Sequence, residues 1–424
     1  MVLRVRRFAG VEGQVRPPSD KSLTHRSFML GALADGPCTV RMPLQSEDAH
    51  ATRGVLTALG VRFEDVSATE VIVNPCATWQ TPTGPLDCGN SGTTMRLMAG
   101  MLASRPLDVT LVGDASLSRR PMRRVAEPLR LMGARVEGDT PPLRIHGGHL
   151  HGIDYTTPVA SAQIKSAVLL AGLFAEGETR VTEPAQSRDH TERMLAAMGA
   201  DLTCDGLTTT VRPGRTLRAF DFEVPADISS AAFLMVAAAL APGSKLELLD
   251  VNVNPSRTGI LDVLSEAGVI VATDRPRDVL GEPVADLLIQ GQELIRPFSI
   301  AGVLVPRLID EIPVLAVLAT QAEGVTTIRD ASELRVKESD RIEHIAAGLR
   351  AMGAEIETHP DGMTITGPTP LKAATLHAHG DHRLAMAFAI AGLVAEGETV
   401  IEGAETVATS YPNFESDLWR ICLA

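Results

Sequence analysis

Charged and hydroxyl side chains gather in short segments of this chain, each opening an apolar run. They read PSDKSLTHR (18–26), CGNSGTTMR (88–96), ASAQIKS (160–166), IDE (309–311), RVKESDR (335–341) and GDHR (380–383), joined by SRRP (118–121) and SRDH (187–190). A helix start presents unpaired N–H groups and the positive end of the helix dipole, so it attracts anions. A Lys or Arg in the same place opposes that dipole. Lys21, Arg120, Arg188, Lys337 and Arg383 are nevertheless all expected there. Taken singly, Ser19, Ser22, Asn90, Ser161 and Asp227 read as plain N-caps, and each cation reads as a solvated surface charge. Taken together, the recurrence of cations at helix starts reads better as a shared anion-binding surface.

Asp310 (with Glu311) and Glu338 lie among these cations. A carboxylate so placed is usually a structural ion pair; in an anion pocket it serves as a general acid or base. Other chemistries lack support. The turn at 89–92 has no GxxxxGK[ST] context, so a P-loop ATPase is not indicated, and GxSxG is absent. HAHGDH supplies His377, His379 and His382 without a Cys partner or HExxH, so no metal and no cofactor is expected, and these read as surface or capping histidines.

The elements that position these residues repeat. An apolar helix, a glycine and an alternating strand recur around Gly36, Gly177, Gly243, Gly324 and Gly397. The first interval is about twice the others and hides a copy, with Arg105-Pro106 in place of the glycine. A second marker glycine follows in five copies, at Gly60, Gly133, Gly199, Gly268 and Gly353. Each copy reads as helix, strand, helix, strand, strand. The first helices are apolar nearly all round, which predicts burial, and the second helices keep a polar outer face. The strands alternate with period two, as in half-exposed sheets. The fold class is α/β (α+β), with the join between copies three and four near 222–226. A continuous solenoid is the alternative.

At 424 residues the chain exceeds what one core usually serves. A net charge of −13 and 3% aromatic residues argue against nucleic acid and anionic membrane as partners. No apolar run approaches a membrane span. Cys38, Cys76, Cys88, Cys204 and Cys422 are scattered, with no CxxC, and read as reduced thiols, most of them small buried hydrophobes. The start, MVLRVRRFAG, does not read as a secretion signal. A cytoplasmic monomer is expected.

PSDKSLTHR, GNSGTTMR, GDASLSRRPM, ASAQIKSA, IDEIPVLA, ELRVKESDR and GDHRLAMAF, in this order over the whole chain, resemble 5-enolpyruvylshikimate-3-phosphate (EPSP) synthases, the 3-phosphoshikimate 1-carboxyvinyltransferases. The resemblance implies two domains of three βαβαββ copies each, an inside-out barrel arrangement closing over a cleft: residues 17–225, and residues 1–16 with 226–424. It implies transfer of the enolpyruvyl group of phosphoenolpyruvate to the 5-hydroxyl of shikimate 3-phosphate, by addition and then elimination. Such chemistry needs a base, an acid and cationic holes for phosphates and carboxylates.

Carried over motif by motif, Lys21 touches both substrates and acts in catalysis. By the same resemblance Ser22, Arg26, Ser161, Ala162, Gln163, Ser187, Arg188, Asp310 and Lys337 hold shikimate 3-phosphate. Asn90, Gly92, Arg120, Gln163, Arg341 and Arg383 hold phosphoenolpyruvate. The resemblance implies Asp310 as a proton acceptor and Glu338 as a partner in proton traffic at the methylene, and leaves open which carboxylate performs which step. One departure is ATSYPNF, with Thr409 where some members carry Lys. Arg119-Arg120 follows the pattern of the second class of these enzymes, which leaves the response to glyphosate open. The runner-up is UDP-N-acetylglucosamine enolpyruvyltransferase, whose loop cysteine is missing from GDASLSRRP. A non-catalytic repeat scaffold would instead spread its cations over outer faces.

Overall fold

The computed structural model describes residues 1–423 and forms two compact units. The first comprises Ser19–Pro225 with Asp278–Glu282; the second comprises Met1–Pro18, Ala226–Arg277 and the chain from Pro283 onward. Repeat spacing alone assigns 278–282 to the later copies. These residues are a hairpin tip that joins the first unit instead: Arg193 Nη1 donates to the Gly281 carbonyl at 3.1 Å, and His190 Nδ1 lies 2.8 Å from Glu282 Oε1.

The helices in chain order are α1 (Lys21–Gly31), α2 (Glu47–Ala58), α3 (Gly92–Ala103), α4 (Arg123–Leu131), α5 (Ala162–Gly172), α6 (His190–Ala197), α7 (Ile228–Ala239), α8 (Gly259–Glu266), the single turn α9 (Val305–Leu308), α10 (Ile312–Ala319), α11 (Arg341–Ala351), α12 (His382–Val394) and α13 (Phe414–Ile421). As their all-round apolarity requires, α7 and α10 are buried at every residue, and α12 at every residue but its last. The partners α4, α6, α8 and α11 bury only one face.

The second marker glycines have a physical cause. Gly60, Gly133, Gly199, Gly268 and Gly353 follow the C-caps of α2, α4, α6, α8 and α11 with φ between +86° and +104°. Each time the next N–H reaches back to a carbonyl of the last turn at 2.8–3.1 Å, from Val61 to Leu56 through Ala354 to Leu349. This left-handed stop is cheap only for glycine. Within the first unit α3 and α5 pack so closely that a Cβ at Gly100 would lie 2.1 Å from the Ala167 carbonyl oxygen.

The described residues form six sheets. In the first unit each has four strands, a parallel pair followed by an antiparallel hairpin; strand 221–223 supplies the leading strand for 38–41. In the second unit strand Gly10–Val15 runs parallel to Lys245–Asn252, and Val2–Arg6 runs antiparallel to Glu398–Glu402. That last strand stands where the sixth copy has no hairpin of its own. Among the cysteines, Cys38 and Cys88 are buried, and burial pushes their thiols up to about 11 and about 12. Cys76 and Cys422 are half-buried and Cys204 is exposed, so most of the five are not buried hydrophobes. No helix among the described residues is long and apolar enough to cross a membrane.

Candidate active site

In the first unit α1, α3 and α5 present their N-termini with the motifs of hydroxyls and cations, but the caps are not all the expected ones. Asp20, not Ser19 or Ser22, caps α1, accepting from Leu23 N at 2.8 Å. Ser91, not Asn90, caps α3, accepting from Thr94 N at 3.1 Å. Ser161 caps α5 and Asp227 caps α7. A buried hydroxyl chain ties two of these helix starts together: His25 Nδ1 lies 2.6 Å from Thr52 Oγ1, which lies 2.6 Å from Thr94 Oγ1, which donates to Ser91 Oγ. Burial brings His25 down to about 3 even against the pull of Asp48, with Lys21 and Arg26 adding to the fall, so it is neutral.

Released from capping, Asn90 donates to Asp114 Oδ2 at 2.6 Å and accepts from Arg120 Nη2 at 2.7 Å. A Cβ at Gly92 would sit 3.2 Å from Arg96 Nη1 and 3.5 Å from Arg120 Nη1. Two guanidinium groups and the α3 N-terminus therefore converge on a space that any side chain at 92 would begin to fill. Arg96 also donates to Gln163 Oε1, and Gln163 Nε2 donates to Thr93 Oγ1 at 3.0 Å. Asn90, Gly92, Arg120 and Gln163 thus form one constellation. Sequence reasoning omitted Arg96, although it stands one helical turn beyond Gly92 on the same face.

A second group lies around α5 and α6. Arg26, 3% exposed, donates to Thr191 Oγ1 (2.8 Å), Ser166 Oγ (3.1 Å) and the Ser22 carbonyl (3.0 Å). Burial depresses this guanidinium to about 10, Glu192, Asp20 and Glu282 oppose the fall, and nearby Arg188 adds to it. The backbone N–H groups of Ser161 and Ser187 both donate to Glu183, at 3.2 and 3.4 Å. Ala162 is the first residue of α5, and Lys21, the first of α1, pairs with Asp48 at 3.1 Å.

Not every cation stands at a helix start. Lys21 and Arg383 do; Arg120 and Arg188 lie in turns ahead of α4 and α6, and Lys337 lies four residues ahead of α11.

The second unit collects charge differently. Arg341, 2% exposed at the start of α11, donates to Asp381 Oδ2 (2.8 Å), Glu338 Oε2 (2.7 Å) and Asp310 Oδ1 (3.1 Å). Burial alone would lower its pKa, but Asp381, Glu338 and Asp310 together raise it instead. Asp381 is held low: its burial is outweighed by Arg341. Lys337 Nζ is 3.4 Å from Asp310 Oδ1. Arg383 Nη1 donates to the Ser229 carbonyl at 2.6 Å. Behind them lies a buried chain that motif reasoning missed: Arg257 donates to Asp227 (2.9 Å) and Ser229 Oγ (2.7 Å), and Ser229 Oγ donates to Glu311. Asp310, Lys337, Glu338, Arg341 and Arg383 are thereby brought together around α10, α11 and α12.

His377 and His379 join His344, the last two stacked at 3.9 Å, and burial with the two neighbouring rings lowers His379. His382 is buried as the first residue of α12. No group of three or more His, Cys, Asp and Glu suited to a metal occurs among the described residues.

Residues 5–418 match the family model of EPSP synthase (3-phosphoshikimate 1-carboxyvinyltransferase). The chain belongs to the EPSP synthase family. It is 49% identical to a 3-phosphoshikimate 1-carboxyvinyltransferase of Brevibacillus brevis over 427 residues, covering 99% of this chain and 100% of that one. An EPSP synthase structure from Acinetobacter baumannii superposes with a TM-score of 0.90 at 43% identity, covering 100% of this chain and 98% of that one. The enolpyruvyl transferase NikO of Streptomyces tendae, at 19% identity and a TM-score of 0.81 over 99% and 97% of the two chains, shares the fold. Membership in this enzyme family fits a mixed α/β fold in two units and sets aside the non-catalytic scaffold.

Proposed function

We propose that the protein transfers the enolpyruvyl group of phosphoenolpyruvate to the 5-hydroxyl of shikimate 3-phosphate, releasing phosphate. The observation that carries this reading is the buried Arg341, which binds two carboxylates, Asp310 and Glu338, that themselves remain partly accessible. A cation that orients two carboxylates is suited to a reaction that moves protons in both directions.

In the addition step Asp310 takes the 5-hydroxyl proton as the oxygen attacks C2 of phosphoenolpyruvate, and Glu338 delivers a proton to C3. In the elimination step a proton leaves C3 for Glu338, the C2–O bond to phosphate breaks, and the departing phosphate takes up the proton held by Asp310. Asn90, Gly92, Arg120, Gln163, Arg341 and Arg383 bind the donor's phosphate and carboxylate. Arg suits those groups because its planar fork matches them bidentately. Ser22, Arg26, Ser161, Ala162, Gln163, Ser187, Arg188 and Lys337 bind shikimate 3-phosphate, and Lys21 contacts both substrates. Phosphate release from the two substrates together, and none with UDP-N-acetylglucosamine as acceptor, tests the assignment. The same reading makes the protein a cytoplasmic monomer, which light scattering on the purified chain checks for its assembly.

A further inference from the structure

α5 is apolar apart from Gln163 and the adjacent Lys165 and Ser166. Lys165 is 3% exposed, and its Nζ lies 2.6 Å from Glu183 Oε2 and 2.7 Å from Glu192 Oε1. All three side chains are almost wholly removed from water. Replacing such a buried ionic triad with well-packed apolar residues is often neutral or stabilising, so stability alone does not account for it. Its geometry does. Glu183 Oε1 accepts from Ser161 N and Oε2 from Ser187 N, so one carboxylate spans the α5 N-cap and the turn ahead of α6.

We propose that Lys165 is a positioning residue for the shikimate 3-phosphate site: it holds Glu183 in the one orientation that fixes the Ser161 and Ser187 backbones relative to each other. This rests on the function proposed above. A bare carboxylate behind these two serines would repel a phosphate dianion; the ammonium on Oε2 offsets that charge and fixes the carboxylate plane, and burial pushes the second carboxylate on it, Glu192, up from its ordinary pKa. Glu192 anchors Lys165 from α6, next to Thr191. Thr191 and Ser166, the neighbour of Lys165 on α5, lie 2.7 Å apart and together hold Arg26. The two serine segments and the Arg26 guanidinium are therefore one connected body. Burial disfavours the ammonium, but Glu192 and Glu183 outweigh it and keep Lys165 charged.

The test uses Lys165→Met, Glu183→Gln and the charge-balanced double variant Lys165→Met/Glu192→Gln in the full-length protein. Phosphate release is measured with each substrate varied at saturating concentration of the other, alongside thermal melts. In every folded variant KM for shikimate 3-phosphate should rise by about tenfold or more, while KM for phosphoenolpyruvate and kcat stay within about threefold. The double variant should regain melting temperature relative to Lys165→Met without regaining KM. A KM for shikimate 3-phosphate that recovers together with stability makes the triad merely structural and overturns the proposal. So does a folded Glu183→Gln with unchanged KM, which decides the matter if Lys165→Met does not fold. A wild-type protein that releases no phosphate from the two substrates overturns the proposed activity, and the positioning role with it. An active wild type with unaltered variants overturns the positioning role alone.

Discussion

Arg26 and Arg341 are both buried arginines in family motifs, yet their surroundings differ in kind. Arg26 in the first unit is held by two hydroxyls and a carbonyl, and burial lowers its pKa to about 10. Arg341 in the second unit is held by three carboxylates, which overcome burial and raise its pKa. Neutral partners satisfy the N–H donors of a guanidinium without cancelling its charge, so that charge stays available to an incoming anion. Carboxylate partners cancel the charge and gain orientation in return, which is what groups passing protons need. On the function proposed above, the two buried arginines divide the labour: Arg26 offers its charge to an anion, and Arg341 orients two carboxylates besides meeting the donor.

The sharpest test of that division lies at the carboxylates of the second unit. Asp310→Asn and Glu338→Gln keep size and hydrogen bonding but cannot exchange a proton at working pH. Their kcat should fall by on the order of 10²- to 10⁴-fold, while calorimetry should find shikimate 3-phosphate bound nearly as before. Near wild-type turnover in both would leave only an anion site.

Stability should separate the two arginines next. Arg341→Met abandons three carboxylates in a buried setting and should cost about 3–5 kcal/mol. Arg26→Met abandons two hydroxyls and a carbonyl and should cost only about 1–3 kcal/mol. Equal losses in urea unfolding would break the comparison.

Ligand selectivity comes third. Arg120→Ala should weaken phosphoenolpyruvate by about ten- to a hundredfold, the effect of losing one charge-assisted hydrogen bond, and should leave shikimate 3-phosphate much less affected. Equal weakening of both in calorimetry would mean that the constellation around Asn90, Gly92 and Gln163 does not distinguish the donor.

The last effect, spread over several pH units, concerns His25, which is neutral among the cations of the first unit. Its folded pKa of about 3 lies below the ordinary 6.5, so below pH 6.5 the unfolded chain binds a proton that the folded chain does not. The stability this contributes is complete above 6.5 and is lost as pH falls toward 3, by at most about 1.4 kcal/mol per pH unit. His25→Asn should flatten the slope of stability against pH in that window relative to wild type. An unchanged slope would mean that the imidazole is protonated in the folded protein.

Local regularities made much of this molecule readable from its residues. Helices apolar on every side have to be buried, and a glycine after a helix end marks a left-handed stop; both depend on neighbours in the chain, so both survive in a string of letters. The residues of contiguous motifs, such as Asn90 with Gly92 or Lys337 with Arg341, were legible for the same reason. The caps were not. Aspartate, serine and asparagine compete for the same N–H groups, and only the backbone angle at Asp20 and Ser91 settles which of them wins.

Partners from distant copies were hidden as well. Nothing near Lys165 foretells Glu183 or Glu192, and nothing near Ser229 foretells Arg257 and Glu311, although a lone lysine inside the apolar run AQIKSAVLLAG was a signal that a buried counter-charge had to exist. The hairpin tip at 278–282 belongs to the first unit through contacts with His190 and Arg193, and residues 2–15 lend strands to sheets built largely from the other end of the chain. Periodicity and propensity act over a few residues and decide which elements form. Ion pairing and strand pairing act through space, so which elements meet, and which charges they bring face to face, is decided only when the chain has folded.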